Sequence, residues 1–290
     1  MKLSILIVNW NTRDLVVNCV NSILNYATDF DFEVVVVDND SSDGSGDELR
    51  RQFGDNKNIK IIRASENLGF AKGNNLAFKH STGEYILLLN PDTKVRPQAL
   101  QKLVNYMESH KSVGAVGPKI INPDGTTQQS VRQFPRIFTS LLIFSGLHRW
   151  FRPKHYLMDG FDYLHEASVD QVMGAAFMTR RVVIEKLGFM DENFWLWYEE
   201  VDFCKRVKAA GYDVRFYPNT IVEHHQGQSF SQVSVLQRKK IIFRSLVYYF
   251  QKHGRKIDIV MLKVVAPLVF LLAWFFEKLE NLGMKTKIHV

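Results

Sequence analysis

An α/β fold, with a mostly parallel central sheet flanked by helices and a helical extension at the C-terminus, is the architecture this sequence predicts. Three observations carry it. Apolar runs at Leu3 to Val8, Glu33 to Val37 and Tyr85 to Leu89 are short and lack the polar alternation of a half-exposed strand. Such runs suit strands covered on both faces. Between them lie stretches of helical period, among them Thr12 to Asn25, with Leu15, Val16, Cys19, Val20 and Ile23 on one side. Finally, 290 residues at 46% hydrophobic and 23% charged can bury a large core as one domain plus an extension.

Tyr85 to Leu89 is the strand on which the rest is organised. Gly83 and Pro91 bound it, so Asn90 and Asp92 arrive at its carboxyl end. In open α/β sheets that edge is where ligands bind. A carboxylate there is placed to hold a divalent metal and, through it, a diphosphate. The alternative is that Asn90-Pro91-Asp92 caps the next helix.

The other elements follow in order. The turn after the first strand, Asn9 to Arg13, lacks the glycine fingerprint of a dinucleotide site. The second strand ends in Asp38, followed by a polar run to Ser45. An acidic group there suits a sugar hydroxyl or a base N–H; a solvated turn rich in Asx residues is the other reading. A third strand covers Ile59 to Ile62, and Asn67 to Asn75 opens a helix with two glycines that permit close backbone approach. Pro97 to Ser109 is helical, Gly114 to Gly117 a strand, Val172 to Thr179 a strand, Arg181 to Leu187 a helix and Val214 to Tyr217 a strand. From Asn122 to about Asp170 aromatic and basic residues alternate without a clear period, which marks a lid or binding loop, or in part a satellite helix at Phe138 to Leu147.

Phe194 to Arg206 sets aromatic residues against three carboxylates. In a helix from Glu199, the side chains of Glu199, Asp202 and Arg206 share a face, Arg206 pairs with Asp202, and Glu200 points elsewhere. Its aromatic setting raises its pKa, which suits a general base. His224 and His225 follow the last strand, as a further metal ligand or as structural rings.

Taken together, Val8-Asn-Trp-Asn11, Val37 to Ser45, Asn67 to Asn75, Leu89-Asn-Pro-Asp92, Gly188 to Glu192, Tyr198 to Asp202 with Arg206, and His224 resemble an inverting family-two glycosyltransferase of the GT-A fold. Within that family the sequence looks like the bacterial rhamnosyltransferases of cell-wall and O-antigen assembly. The resemblance runs from Leu3 to about Ser229. It implies a nucleotide-sugar donor, a dTDP- or UDP-sugar, held by Asn9, Asn11, Asp38, Asn67, Gly69, Lys72, Asn90 and Asp92, with Asp38 on the base. It implies Mg²⁺ or Mn²⁺ on Asp92 and His224, Glu200 as catalytic base, and Trp197, Glu199, Asp202 and Arg206 on the acceptor side. Two positions depart from the family pattern: Asn90 stands where an aspartate is usual, and Glu199-Glu200 where Glu-Asp is usual. The alternatives are a nucleotidyltransferase, whose Gly-rich basic loop after the first strand is missing here, and a non-catalytic nucleotide-sugar-binding subunit.

The net charge of +7 is uneven: from Ser231 onward eleven Lys and Arg face three Asp and Glu. That argues against a nucleic-acid binder and for a tail that meets an anionic membrane surface. We place a domain boundary near Phe230, with residues 1–230 catalytic and 231–290 a basic, apolar helical extension. Val264 to Phe276 is too short to span a bilayer, so the expectation is an interfacial or re-entrant helix. Packing on the catalytic domain, or a homodimer through these helices, is the alternative. Cys19 and Cys204 form no pattern, and the N-terminus carries no signal-peptide apolar region. The expected place is cytoplasmic, at the inner face of the cell membrane, with a lipid-linked saccharide as acceptor.

Overall fold

The computed structural model describes residues 1–26, 30–227 and 232–281. The chain opens with β1 (Leu3–Asn9), α1 (Arg13–Asn25), β2 (Phe32–Asp38), α2 (Ser45–Phe53), β3 (Ile59–Arg63), α3 (Gly69–Lys79) and β4 (Tyr85–Leu89). These four strands are parallel, in the order β3-β2-β1-β4. Their apolar runs read without alternation because each feeds two cores. Ile5, Ile7, Val34, Val36, Leu87 and Leu89 enter one core with α1, while Leu6, Val35, Val37, Ile86 and Leu88 enter the other with Ala71 of α3.

Next come β5 (Thr93–Val95), α4 (Ala99–Ser109), β6 (Val113–Ile121), β7 (Val131–Arg132), α5 (Ile137–Ser145), α6 (Lys154–Leu157), β8 (Ala167–Ser168), β9 (Gln171–Val172), β10 (Ala176–Arg180), α7 (Arg181–Leu187), α8 (Glu199–Ala209) and β11 (Asp213–His224). β10 lies antiparallel between β4 and β6, and β11 pairs parallel with β6 and antiparallel with β5. The carboxyl ends of β1, β2, β4 and β11 therefore share one edge of the sheet, together with the start of β10.

Several boundaries differ from the sequence reading. Asp92 does not cap a helix, because β5 intervenes and α4 begins only after Gln98. Val172 to Thr179 is broken at Gly174 into β9 and β10, and Val214 to Tyr217 is the first part of a longer strand with a register shift before Ile221. The segment from Asn122 to Asp170 holds α5 and several elements of two to four residues, too short to show a period.

Two helices close the described chain, α9 (Val235–His253) and α10 (Lys256–Asn281). The boundary drawn near Phe230 lies outside the described residues. α9 is part of the protein body: Leu246, Tyr249 and Phe250 share a buried cluster with Phe144, Phe194 and Val201. α10 runs unbroken through Pro267, so the apolar helix is longer than Val264 to Phe276. Its twenty residues Lys256–Phe275 suffice by length and composition to cross a membrane. One face packs inward through Leu262, Ala266 and Val269, and Val264, Leu268, Leu271, Trp274 and Phe275 remain exposed on the other.

Opposite the shared edge, Glu33 pins the sheet. Its buried carboxylate accepts hydrogen bonds from Lys60 Nζ (2.7 Å), Ser4 Oγ (2.7 Å), and Thr82 N (2.6 Å) and Oγ1 (2.9 Å). Burial alone would raise its pKa, but the lysine and the hydroxyls outweigh burial and hold it down at about 2. The stability it contributes is thus present above its ordinary value of 4.5 and is lost as the pH falls toward about 2. Glu33→Ala is expected to cost about 1–3 kcal/mol at neutral pH, by leaving the buried Ser4 hydroxyl and Thr82 N–H without their acceptor. Thermal unfolding between pH 7 and 2 checks it. A parent and variant that lose stability in parallel on acidification would exclude this role.

Candidate active site

The shared edge brings together Asn9, Asp38, Asn90, Asp92 and His224. Asp92 follows β4, and His224 ends β11 directly opposite Thr93 in the β5 pairing. The His225 backbone N–H donates to Asp92 O (2.8 Å), which locks the two turns together. Both side chains are buried, and His224 Nε2 stands 3.3 Å from Asp92 Oδ1 without a hydrogen-bond partner. His224 Nδ1 lies 2.7 Å from Gln128 Oε1, an acceptor, so in the neutral ring the proton sits there and the Nε2 lone pair faces the carboxylate. Two acceptors turned toward each other in a buried site repel unless a cation joins them. These residues therefore fit a divalent ion. No group of three or more candidate ligands occurs among the described residues, so a cation on these two donors would keep open coordination positions. His225 faces Glu223 instead, with Nε2 3.1 Å from its Oε1. Gln128, which sets the tautomer, had no signal in the sequence.

Around Asp38 the loops after β1, β2 and β3 interlock. Asp38 is 1% exposed, with Oδ1 accepting from Asn9 Nδ2 (3.3 Å) and Oδ2 3.7 Å from Arg63 Nε. Asn11 takes a left-handed φ of 52° and accepts from the Ser42 backbone N–H (2.7 Å). Asn39 bridges two loops, donating to Asn67 Oδ1 (2.9 Å) and accepting from Leu68 N (2.9 Å). Gly69, at φ +77°, is required as glycine, since a side chain would collide with Trp195. The next backbone N–H, of Phe70, donates to Trp195 O (2.7 Å) and couples this loop to the one before α8. Lys72 is exposed on α3, and Asn90 donates its backbone N–H to Ala175 O (2.9 Å).

α8 begins after two consecutive left-handed residues, Trp197 (φ 65°) and Tyr198 (φ 73°), a strained turn of the kind found at functional sites. It delivers Glu199 and Glu200 in the first helical turn. Glu200 lies over Gly174, where a methyl group would stand 3.6 Å from its Cγ. Gly174 adjoins Ala175, the partner of Asn90, so the segment leading into β10 links Glu200 to the Asp92 turn. Burial raises the pKa of both glutamates, and for Glu199, the more deeply buried, the charge of Glu200 raises it further. Oε2 of each has no hydrogen-bond partner. The face assignment along α8 matches the i, i+4 reading, with Arg206 Nε 2.8 Å from Asp202 Oδ2. Both of these groups are committed to the protein itself rather than to an acceptor. Asp202, 0% exposed, also meets Lys252 Nζ (2.9 Å) and His253 Nε2 (2.7 Å) of α9. Arg206 donates to the carbonyls of Leu187 (2.9 Å) and Gly188 (2.8 Å).

Comparison with known proteins gives the family and the fold. The family model described as glycosyl transferase family 2 matches residues 4–188. A low-salt glycan biosynthesis hexosyltransferase of Haloferax volcanii is 29% identical over 73% of this chain and 63% of its own length. An N-acetylglucosaminyl-diphospho-decaprenol L-rhamnosyltransferase of Mycobacterium tuberculosis is 26% identical over 71% of this chain and 70% of its own. The chain thus spans somewhat under two thirds of the first relative and somewhat over two thirds of the second. A mannosyltransferase of Pyrobaculum calidifontis, solved with GDP-Man and Mn²⁺, has the same fold, with a TM-score of 0.60 at 15% identity over 98% of this chain and 76% of that one. Glu200 and His224 lie beyond the matched stretch, and their assignment rests on the structure. With more than half of its length matched by the family model and the GT-A sheet in place, this chain belongs to glycosyltransferase family 2.

Proposed function

We propose that the protein is an inverting, metal-dependent transferase that moves a sugar, rhamnose from dTDP-rhamnose in our reading, to a hydroxyl of a lipid-linked saccharide in surface-polysaccharide synthesis. The observation that carries this is the approach of Glu200, over Gly174, to the sheet edge where Asp92 and His224 face each other. A single displacement needs a base on the acceptor hydroxyl and a counter-charge on the departing diphosphate. Glu200 accepts the proton. Asp92 Oδ1 and His224 Nε2 would hold Mg²⁺ or Mn²⁺, which supplies Lewis-acid neutralisation of the diphosphate when bound. The rhamnosyltransferase relative supports rhamnose and a diphospholipid acceptor; a UDP-sugar donor is the second reading. The exposed apolar stripe of α10, bordered by Lys256, Lys263 and Lys278, supports contact with an anionic bilayer.

Thermal-shift and turnover measurements against dTDP-rhamnose and several UDP-sugars, with and without Mn²⁺, test the donor and the metal. Asp92→Ala is expected to abolish metal-stimulated donor binding in a folded protein, and His224→Ala to weaken it. Gln128→Leu should lower Mn²⁺ affinity by roughly 10–100-fold, the usual worth of a residue that orients a ligating histidine. Unchanged Mn²⁺ dependence in Asp92→Ala would sink the metal assignment. An effect from His225→Ala in place of His224→Ala would name the wrong ring.

A further inference from the structure

We propose that the basic cleft between the β7 segment and α6 is a subsite for the diphosphate of a lipid-linked acceptor, with Arg136 and Lys154 as its anion contacts. This deepens the function proposed above and rests on it.

Two adjoining cavities of about 200 and 250 Å³ share Gln133, Lys154 and His155; Arg136 and Tyr156 line the first and Asp159 the second. Their charge is positive. Among the described residues no carboxylate lies within ion-pair distance of Arg136 or Lys154; Asp159, near Lys154, is held by Arg152 at 2.6 and 2.9 Å. Arginine and lysine without a close ion pair, exposed beside a concave wall, bind phosphate oxygens through charge-assisted hydrogen bonds.

The cleft adjoins the reacting centre. Gln133 N donates to Tyr156 O (3.1 Å), and Gln171 Nε2 of β9 donates to Gln133 O (2.6 Å). β9 leads straight into Gly174, beneath Glu200. Tyr156 itself senses Glu200: burial, with the glutamate's charge adding to it, pushes its hydroxyl up to about 12. An anion seated in the cleft would thus lie on the Glu200 side of the site, linked to it through Tyr156 and β9, and separate from the donor diphosphate expected at Asp92.

The cleft also adjoins the apolar face of the molecule. Phe138, Trp150 and Phe151, around α5 and the turn after it, are 69%, 75% and 66% exposed. α5 packs onto α10 through Phe144 and Phe270, whose rings meet edge-on at 6.0 Å. One helix thus carries Arg136 at its start and the bilayer-facing α10 against its side. An acceptor whose chain stays in lipid presents its diphosphate at the height of such a cleft and its sugar beyond it, toward Glu200. A soluble saccharide acceptor would have no use for this arrangement.

Isothermal titration of the full-length protein with farnesyl diphosphate, in EDTA to silence the Asp92–His224 pair, tests the subsite. Farnesol and inorganic diphosphate are the comparison probes. Farnesyl diphosphate is expected to bind more tightly than either. Arg136→Ala/Lys154→Ala should raise its Kd by roughly 10–100-fold, and Arg136→Lys should restore part of that, as expected for contacts to a charged group. Both side chains are exposed, so the variants should unfold at the parent temperature. A double variant that binds farnesyl diphosphate like the parent overturns the subsite. Inorganic diphosphate binding as tightly as the lipid form, with the same loss in the variant, overturns the lipid-linked assignment. Donor turnover by the same protein with Mn²⁺ in place of EDTA is read separately, and its absence overturns the transferase reading instead.

Discussion

Glu200→Gln is expected to lower turnover by roughly 10²–10⁴-fold while leaving donor affinity intact, since it removes a proton acceptor without changing shape. The adjacent carboxyl should behave differently. Glu199 is almost fully buried, and burial together with the neighbouring charge of Glu200 holds its pKa well above the ordinary 4.5. Glu199→Gln copies the protonated form that burial favours, so it should cost far less turnover than Glu200→Gln. Glu200 is the more accessible of the two, and its pKa is raised by burial. Catalysis requires its ionised form, so the acid limb of kcat/KM should lie above pH 4.5, with the rate falling as the pH drops through it. Product of inverted anomeric configuration should appear. An active Glu200→Gln beside a dead Glu199→Gln would exchange the two roles, and retained configuration would remove the mechanism.

How much of this was legible in the sequence depended on whether one pattern has one structural meaning. Unalternating apolar runs such as Tyr85 to Leu89 suit a strand buried on both faces, and the parallel half of the sheet follows from them. The Asp202–Arg206 pair was readable because i, i+4 neighbours meet on any helix. The partners that Asp202 finds in Lys252 and His253 were not, because they are about 50 residues away in sequence and depend on how α9 docks. Gln128 was hidden for the same reason: one amide in an irregular stretch gains meaning only when β11 brings His224 to it. The basic, apolar C-terminal helices were misjudged in part because an amphipathic pattern looks alike whether its apolar face meets protein or lipid. Lys239 and Lys252, two of the eleven basic residues in the extension, are used internally. Lys239 donates to Phe144 O (2.8 Å), with burial first and then nearby Arg149 pulling its pKa down to about 8, and Lys252 pairs with Asp191 (2.8 Å) and Asp202 (2.9 Å).

Deleting residues 232–290 is accordingly expected to abolish folding rather than release a soluble catalytic domain. Leu246, Tyr249, Phe250, Leu262 and Val269 would leave the cluster that covers Phe144, Phe194 and Val201. At about 1.5–3 kcal/mol for each buried apolar side chain, their loss is comparable to the 5–15 kcal/mol stability of a typical domain. Asp202 would keep Arg206 alone, and stripping partners from a buried charge costs about 3–5 kcal/mol more. The damage reaches the base directly, because Asp202 shares the first turn of α8 with Glu200 and Ser245 Oγ of α9 donates to Leu196 O (2.7 Å), just before the strained turn. Asp202→Asn, a milder change, should lower both the unfolding temperature and kcat. The outer face of α10 calls for a separate measurement. Leu268→Glu/Leu271→Glu leaves the inward residues Leu262, Ala266 and Val269 in place, so the unfolding temperature should hold while flotation with anionic liposomes is lost. A soluble, donor-hydrolysing fragment 1–231 would disprove the structural role of α9. Undiminished flotation of the α10 variant would show that this face does not meet lipid.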